Sequence, residues 1–360
     1  MGRIPLFGHS ELRAELLGSF RRKALPQSLL FHGPSGIGKQ RLALWLAQTL
    51  VCEAPTADGP CGACRHCRMA LDLTHPDIHW VFPLPRPKDS DYSPNDAKAD
   101  YAEARLERAK AGGVYAPPSG ADGIYIATTR MLLLTAALTP AIARRKVIIV
   151  GGAERMVSQL GSEQAANAFL KLLEEPPNDT WIILTSSAPG DLLPTIRSRV
   201  SPIRVRQLTA AEARALVTHE AFAKALAGAG VKGSTDTIVT RAAGAPGTIL
   251  GTENDAANRA RAAAIVDAAT TSDPARRHLV AMQQGVWGAR GGFSDVLDAI
   301  TVQLHQSARE AVLAGDAGRA ARFARAVEIV EDAKETTLTN VNPSLVTADL
   351  VDRLAQSLRY

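Results

Sequence analysis

The stretch Gly33-Pro34-Ser35-Gly36-Ile37-Gly38-Lys39-Gln40 constrains this chain more than any other. It follows the apolar run Leu29-Leu30-Phe31 and opens a helical pattern over residues 39–51, where Leu42, Leu44, Leu46 and Leu50 sit among mostly apolar neighbours. A strand, a glycine-rich turn ending in Lys and a buried helix make a phosphate-binding loop, whose backbone N–H groups and helix N-terminus cradle an anion. Gly33, Gly36, Gly38 and Lys39 are therefore the candidate nucleotide-binding residues. Ser or Thr belongs after the Lys, because that hydroxyl binds Mg²⁺; this chain has Gln40. Further on, the strand pattern Val147-Ile148-Ile149-Val150 ends in Gly151-Gly152, where an acidic group for the metal belongs. Gln40 could offer an amide oxygen in place of the hydroxyl, and Glu154 could stand in for the acid after a local shift. Both losses together point to a nucleotide fold in non-catalytic use, its loop holding nucleotide weakly or serving only as a strand-to-helix turn.

With 360 residues the chain is long enough for two or three domains. Its 46% hydrophobic and 21% charged residues are those of a soluble globular protein. No apolar run reaches the ~18 residues of a membrane span, and the opening Met1–Phe7 is too short for a signal peptide. A cytoplasmic protein is expected. The net charge of +5 is compatible with nucleic acid nearby without requiring it. The basic clusters Arg21-Arg22-Lys23 and Arg144-Arg145-Lys146 fit a solvated face as well as phosphate contact, and 5% aromatic residues do not indicate base-stacking platforms.

Residues 1–206 read as alternating strands and helices, hence a mostly parallel α/β sheet. Buried strands are predicted at 28–31, 146–150 and 181–185. The segment 83–122, with Pro83, Pro85, Pro87, Pro94, Pro117 and Pro118, reads as a mobile insertion holding a short helix at 97–111. Residues 207–272 read as a small helical lid. Thr209 caps a helix through about residue 226, and a second helix over 235–243 stops at Gly244 before Pro246 and Gly247. Residues 273–360 read as a helical domain, with breaks near Pro274, at 285–292 and at 340–343.

All four cysteines, Cys52, Cys61, Cys64 and Cys67, fall in the pattern C-x8-C-x2-C-x2-C. Four thiolates can wrap a tetrahedral zinc ion, and Gly59, Pro60 and Gly62 supply the sharp turns. With every position filled by protein such a zinc is structural. Disulfides are the competing reading, and nothing points to an oxidising compartment for them. His66 is an alternative ligand.

Two further segments carry a resemblance. Ala165-Ala166-Asn167-Ala168-Phe169-Leu170-Lys171-Leu172-Leu173-Glu174-Glu175-Pro176-Pro177 and Leu193-Pro194-Thr195-Ile196-Arg197-Ser198-Arg199-Val200, together with the loop and the cysteines, resemble the clamp-loader branch of the AAA+ ATPases. Asn340-Val341-Asn342-Pro343 is similar to a signature of that branch's bacterial collar domain. The resemblance implies an AAA+ α/β P-loop module with a zinc-binding insertion, a small helical lid and an all-α C-terminal collar. The changes at Gln40 and Gly151-Gly152, and the lack of an Arg in the lid run Ala243-Gly244-Ala245-Pro246-Gly247-Thr248, resemble the branch's stator rather than its motors.

By that resemblance Arg199 is an arginine finger, a catalytic group acting in trans on a neighbour's nucleotide, with Arg197 as the competing candidate. Ser186 and Ser187 resemble a γ-phosphate sensor position, or are polar strand-end residues. Val200 replaces a packing Cys. Apolar Val327, Val330, Leu345, Leu350 and Leu354 fit either collar core or collar interface. The implied partners are gamma/tau-type motor subunits, a delta subunit, the sliding clamp through the complex, and primer-template DNA gripped through its phosphates without sequence preference. The chain itself would hydrolyse little or no ATP as a subunit of a DNA-directed DNA polymerase holoenzyme. The alternatives are a gamma/tau-like subunit with its own ATPase, or a zinc-containing DNA-binding protein outside any clamp loader.

Overall fold

The computed structural model describes residues 5–85, 87, 91–113, 122–156, 163–250, 253–271, 273–283, 290–337 and 343–359. Pro117, Pro118, Asn340, Val341 and Asn342 lie outside the described residues. The chain forms two compact units, residues 1–117 with 123–250, and residues 118–122 with 251–360.

The first unit is built on a parallel sheet of β1 (Ser28–His32), β2 (Ile78–Val81), β3 (Lys146–Val150), β4 (Thr180–Ser186) and β5 (Ser201–Arg204), in the order β2-β3-β4-β1-β5. The three inner strands are those read from sequence. β3 is buried at all five positions and β1 at its first four, as a parallel sheet covered on both faces requires. Both edge strands escaped the sequence reading. β5 contains Pro202, which cannot donate to a ladder and is tolerated because only β1 pairs with this strand. β2 is short, begins just after Pro76 and carries His79 among its apolar residues.

Helices α1 (Ser10–Arg21), α2 (Lys39–Val51), α3 (Arg65–Leu71), α4 (Pro94–Lys110), α5 (Ile126–Ala137), α6 (Glu163–Glu174) and α7 (Pro194–Arg197) accompany the sheet. The helix expected at 97–111 is α4, started by a Ser93–Asp96 capping box. It packs beside β2: the Tyr101 hydroxyl donates to the Phe82 carbonyl at 2.7 Å, and the Arg108 guanidinium lies over the rings of Phe82 and Trp80. The exposed edge of the sheet is thereby covered. Between α5 and β3 the chain is fixed by two buried charges. Lys146 donates to the Thr135 and Leu138 carbonyls at the end of α5. The Asp77 carboxylate accepts the N–H groups of Ala141, Ile142 and Ala143. Burial opposes ionisation of Asp77, but those N–H groups outweigh it and hold its pKa below the usual range.

The lid helices are α8 (Ala210–Thr218), α9 (Glu220–Gly228) and α10 (Thr235–Ala242). Thr209 caps α8 in a capping box with Glu212, as expected from sequence. The single helix expected through residue 226 is broken at His219, whose ψ of 127° is extended, so α9 starts in a new direction. Ala213, Phe222, Leu226, Ile238 and Val239 close this small core.

The second unit is all helix among the described residues: α11 (Glu253–Thr270), α12 (Pro274–Gln283), α13 (Arg290–Leu313), α14 (Ala317–Thr337) and α15 (Pro343–Arg359). Its core includes Ile265, Val296, Leu297, Ile300, Leu304, Val330, Leu350 and Leu354. Val330, Leu350 and Leu354 are thus ordinary core, Val327 is half-buried, and Leu345 is 65% exposed. A turn at Gly315, φ 77°, separates α13 from α14 and was not read from sequence. Among the described residues no helix is long and apolar enough to cross a membrane.

Burial, reinforced by Arg105 and Lys146, pushes the His79 imidazole from its ordinary 6.5 down to about 4. The unfolded chain takes up this proton below 6.5 and the folded chain does not. Stability from His79 is therefore complete above pH 6.5 and lost as pH falls toward 4. His79→Gln is expected to flatten the fall in urea midpoint between pH 7 and pH 5; an unchanged slope would assign the acid sensitivity elsewhere.

Candidate nucleotide loop, metal site and interface arginine

Gly33–Lys39 joins β1 to α2 as expected, yet its polar groups are turned to one another. Lys39 is 7% exposed, and its ammonium donates to the Gly33 and Pro34 carbonyls at 2.7 Å each and to Ser187 Oγ at 2.9 Å. All three of its donors are committed. Burial pushes it down to about 8, against the attraction of Glu154. Two other loop carbonyls are also taken: Ile37 O accepts from His9 Nε2 at 3.1 Å, and Gly36 O from the Gly247 N–H at 2.9 Å. The lid touches the loop so closely that a Cβ on Gly36 would lie 2.7 Å from the backbone nitrogen of Thr248. A Cβ on Gly247 would lie 2.9 Å from Gly36 Cα. Only glycine at both positions permits this approach.

Gln40 and Gly151, read from sequence as two separate departures, form one packed unit. The Gln40 amide oxygen accepts from the Trp80 indole N–H at 2.9 Å. Its side chain lies over Gly151, where a Cβ would fall 2.3 Å from that oxygen. A carboxylate after β3 and this Gln rotamer exclude each other. The amide oxygen considered above as a metal ligand is already bonded. Glu154 Oε1 accepts the Ser187 N–H at 2.9 Å, in a 3₁₀ turn over Ala153–Met156, while its Oε2 is buried without a hydrogen-bond partner. Gly152 donates its N–H to Thr185 Oγ1, and Ser186 Oγ accepts from Ala188. At the two positions where a magnesium ligand belongs, the residue after Lys39 and the residue after β3, the chain has an amide bonded to Trp80 and a glycine.

The four cysteines are brought together. Cys52 ends α2, Cys61 and Cys64 lie in the connecting loop, and Cys67 is in α3. Their sulfurs lie within 4.8 Å of one another, with Cys61–Cys67 at 3.8 Å and Cys64–Cys52 at 4.0 Å. Sulfurs about 2.3 Å from a central zinc stand about 3.8 Å apart, so the cluster can hold a tetrahedral metal ion. Backbone N–H groups of Cys61, Cys64 and Cys67 donate to the sulfurs of Cys52, Cys61 and Cys64. N–H donors from Cys64 and Ala63 push the Cys61 thiol down to about 6, whereas burial pushes the Cys52 and Cys67 thiols up. All four are free thiols, so the disulfide reading is not met. His66 is not drawn in: its Nδ1 meets His75 Nε2 at 2.8 Å and its Nε2 meets Glu53 at 3.3 Å. Because His75 Nδ1 accepts the Asp77 N–H, His75 carries its proton on Nε2 and donates to His66. The loop is tied to α1 by Arg13 to Asp58 O and Arg21 to Thr56 O, and α2 is tied to α3 by Gln48 to Cys67 O.

Arg199 follows α7, with its side chain 32% exposed. Its Nε and Nη2 both donate to Glu174 Oε1, at 3.0 and 2.5 Å, and its Nη1 donates to Thr195 O and Ser198 Oγ at 2.8 and 3.2 Å. Arg197 is exposed and Val200 is buried. Trp80 and Glu174 were the groups missed from sequence. Glu174 was visible only as part of a helix end, and Trp80 stood in a strand that was not recognised.

Because Gln40 and Gly151 share one space, their substitutions should not add. Gly151→Ala displaces the Gln40 amide and Gln40→Ser removes it. Each is expected to cost about 1 kcal/mol through the lost Trp80 hydrogen bond, and the double variant no more than either alone. Fully additive losses in urea unfolding would contradict the interlock.

Residues 8–209 match the family model described as "DNA polymerase III, delta subunit". The DNA polymerase III subunit delta' of Pseudomonas aeruginosa is 34% identical over 170 residues, covering 47% of this chain and 40% of that protein. The Escherichia coli protein of the same name is 29% identical over 185 residues, 51% of this chain and 44% of that one. The DNA polymerase III subunit gamma/tau of Mycobacterium tuberculosis is 32% identical over 213 residues, 59% of this chain and 30% of that one. The chain spans less than half the length of these relatives. With more than half of its residues inside the family match, the chain belongs to the DNA polymerase III delta-prime subunit family.

Proposed function

We propose that this chain is the stator of a bacterial clamp loader, an AAA+ module with a small helical lid and an all-α collar. It completes a ring of gamma/tau-type motors and a delta subunit and helps load the sliding clamp onto primed DNA. Its own loop hydrolyses little or no ATP, and Arg199 serves a neighbouring motor as an arginine finger. The observation that carries this reading is the Gln40–Trp80 hydrogen bond over Gly151. It occupies the space a hydrolysing site needs for its magnesium ligands, whereas Arg199 stays within reach of solvent. Family membership supports the assembly context. Contact with primer-template DNA would run through phosphates and carry no sequence preference.

In a reconstituted assembly whose only competent site is the motor beside this chain, Arg199→Ala is expected to leave assembly intact. ATP turnover should fall on the order of 10³-fold. Unchanged turnover would refute the role, and a matching loss with Arg197→Ala alone would move it to that residue.

A second reading, a gamma/tau-like subunit with its own ATPase, draws on the similarity to the gamma/tau protein. Magnesium-dependent ATP turnover by the isolated chain at the rate of a motor would favour it over the stator.

We also propose that Cys52, Cys61, Cys64 and Cys67 hold one structural zinc ion. The ion would supply no catalytic step and would tie the end of α2 to α3 and to the loop held by Arg13 and Arg21. Freshly purified protein should contain one zinc per chain, and chelation should lower Tm by several degrees. Zinc content near zero, or a Tm indifferent to chelation, would contradict the site.

A further inference from the structure

Arg199 stands in an unexpected state for a group meant to serve another subunit. A guanidinium has five N–H donors, and four of those of Arg199 are committed within its own chain, two to Glu174 Oε1, one to Thr195 O and one to Ser198 Oγ. The single N–H left cannot make the paired bonds by which arginine grips a phosphate. The carboxylate also offsets the charge that a finger must supply. Glu174 in turn is the last residue of α6, where a carboxylate faces the negative end of the helix dipole and is unfavourable unless paired.

We infer that Glu174 is a positioning residue: it keeps Arg199 retracted and charge-compensated until the polyphosphate of a neighbour's nucleotide draws the guanidinium away. The inference rests on the in-trans role proposed for Arg199. The clasp is suited to release. Its two side chains are 32% and 48% exposed, and ion pairs so open to water are weakly held. A nucleotide triphosphate carries several charges against the one on Glu174, so it wins the competition when it is correctly placed and loses it at a distance. Glu175, next in the chain and exposed, takes no part in the clasp.

The test uses the full assembly with only the adjacent motor site competent. Glu174→Gln keeps the shape and removes the charge. It is expected to raise kcat at that site about two- to fivefold, the range set by exposed ion pairs, with assembly unchanged. Glu174→Asp, which keeps the charge, should lie nearer the wild type, and Glu175→Gln should match it. The rise must vanish when Arg199→Ala is also present, which a merely structural effect of Glu174 would not do. Unchanged or lower turnover in Glu174→Gln overturns the inference, as does a rise that survives Arg199→Ala. If Arg199→Ala alone leaves turnover unaltered, the in-trans role itself has failed and the clasp has nothing to guard.

Discussion

The hydrogen bond from Trp80 to Gln40 is the contact on which the character of the nucleotide loop depends. It draws the side chain of the first residue after Lys39 across the end of β3, into the space that glycine at 151 leaves open. Once Gln40 lies there, neither a hydroxyl at the start of α2 nor a carboxylate after β3 can be present. Trp80 is itself held on the sheet edge by α4, where Arg108 stacks over the rings of Trp80 and Phe82. A helix outside the nucleotide loop thus helps to set the loop's chemistry.

The rest of the loop follows the same logic. Lys39 satisfies its donors on Gly33, Pro34 and Ser187. The lid is pressed onto Gly36 at backbone distance. Satisfied polar groups and close backbone packing make such a site stiff. Such stiffness accords with the stator role proposed above. Arg199, the group proposed to act in trans, is joined through Glu174 to the end of α6.

The inner sheet was legible in sequence because its strands are unbroken apolar runs, and the loop because glycines and Lys39 mark it. The edge strands were not. Pro202 argues against a strand until one knows that only one neighbour needs pairing, and the polar His79 interrupts β2. The cysteine spacing foretold the convergence of four sulfurs, since a tight turn leaves them few other arrangements. What sequence could not show were the pairings across long separations. Gln40 with Trp80 and Glu174 with Arg199 each join residues whose types are ordinary and whose proximity arises only from the fold. The loss at Gly151 was visible as a missing acid; that it makes room for Gln40 was not.

The most direct test of this account is the binding of ATP to the isolated chain by titration calorimetry, with and without Mg²⁺. A loop closed by its own Lys39, Gln40 and lid should bind in the millimolar range or more weakly, with no gain from the metal. Micromolar binding that requires Mg²⁺ would mean that the loop opens and completes a metal site, and would contradict the account.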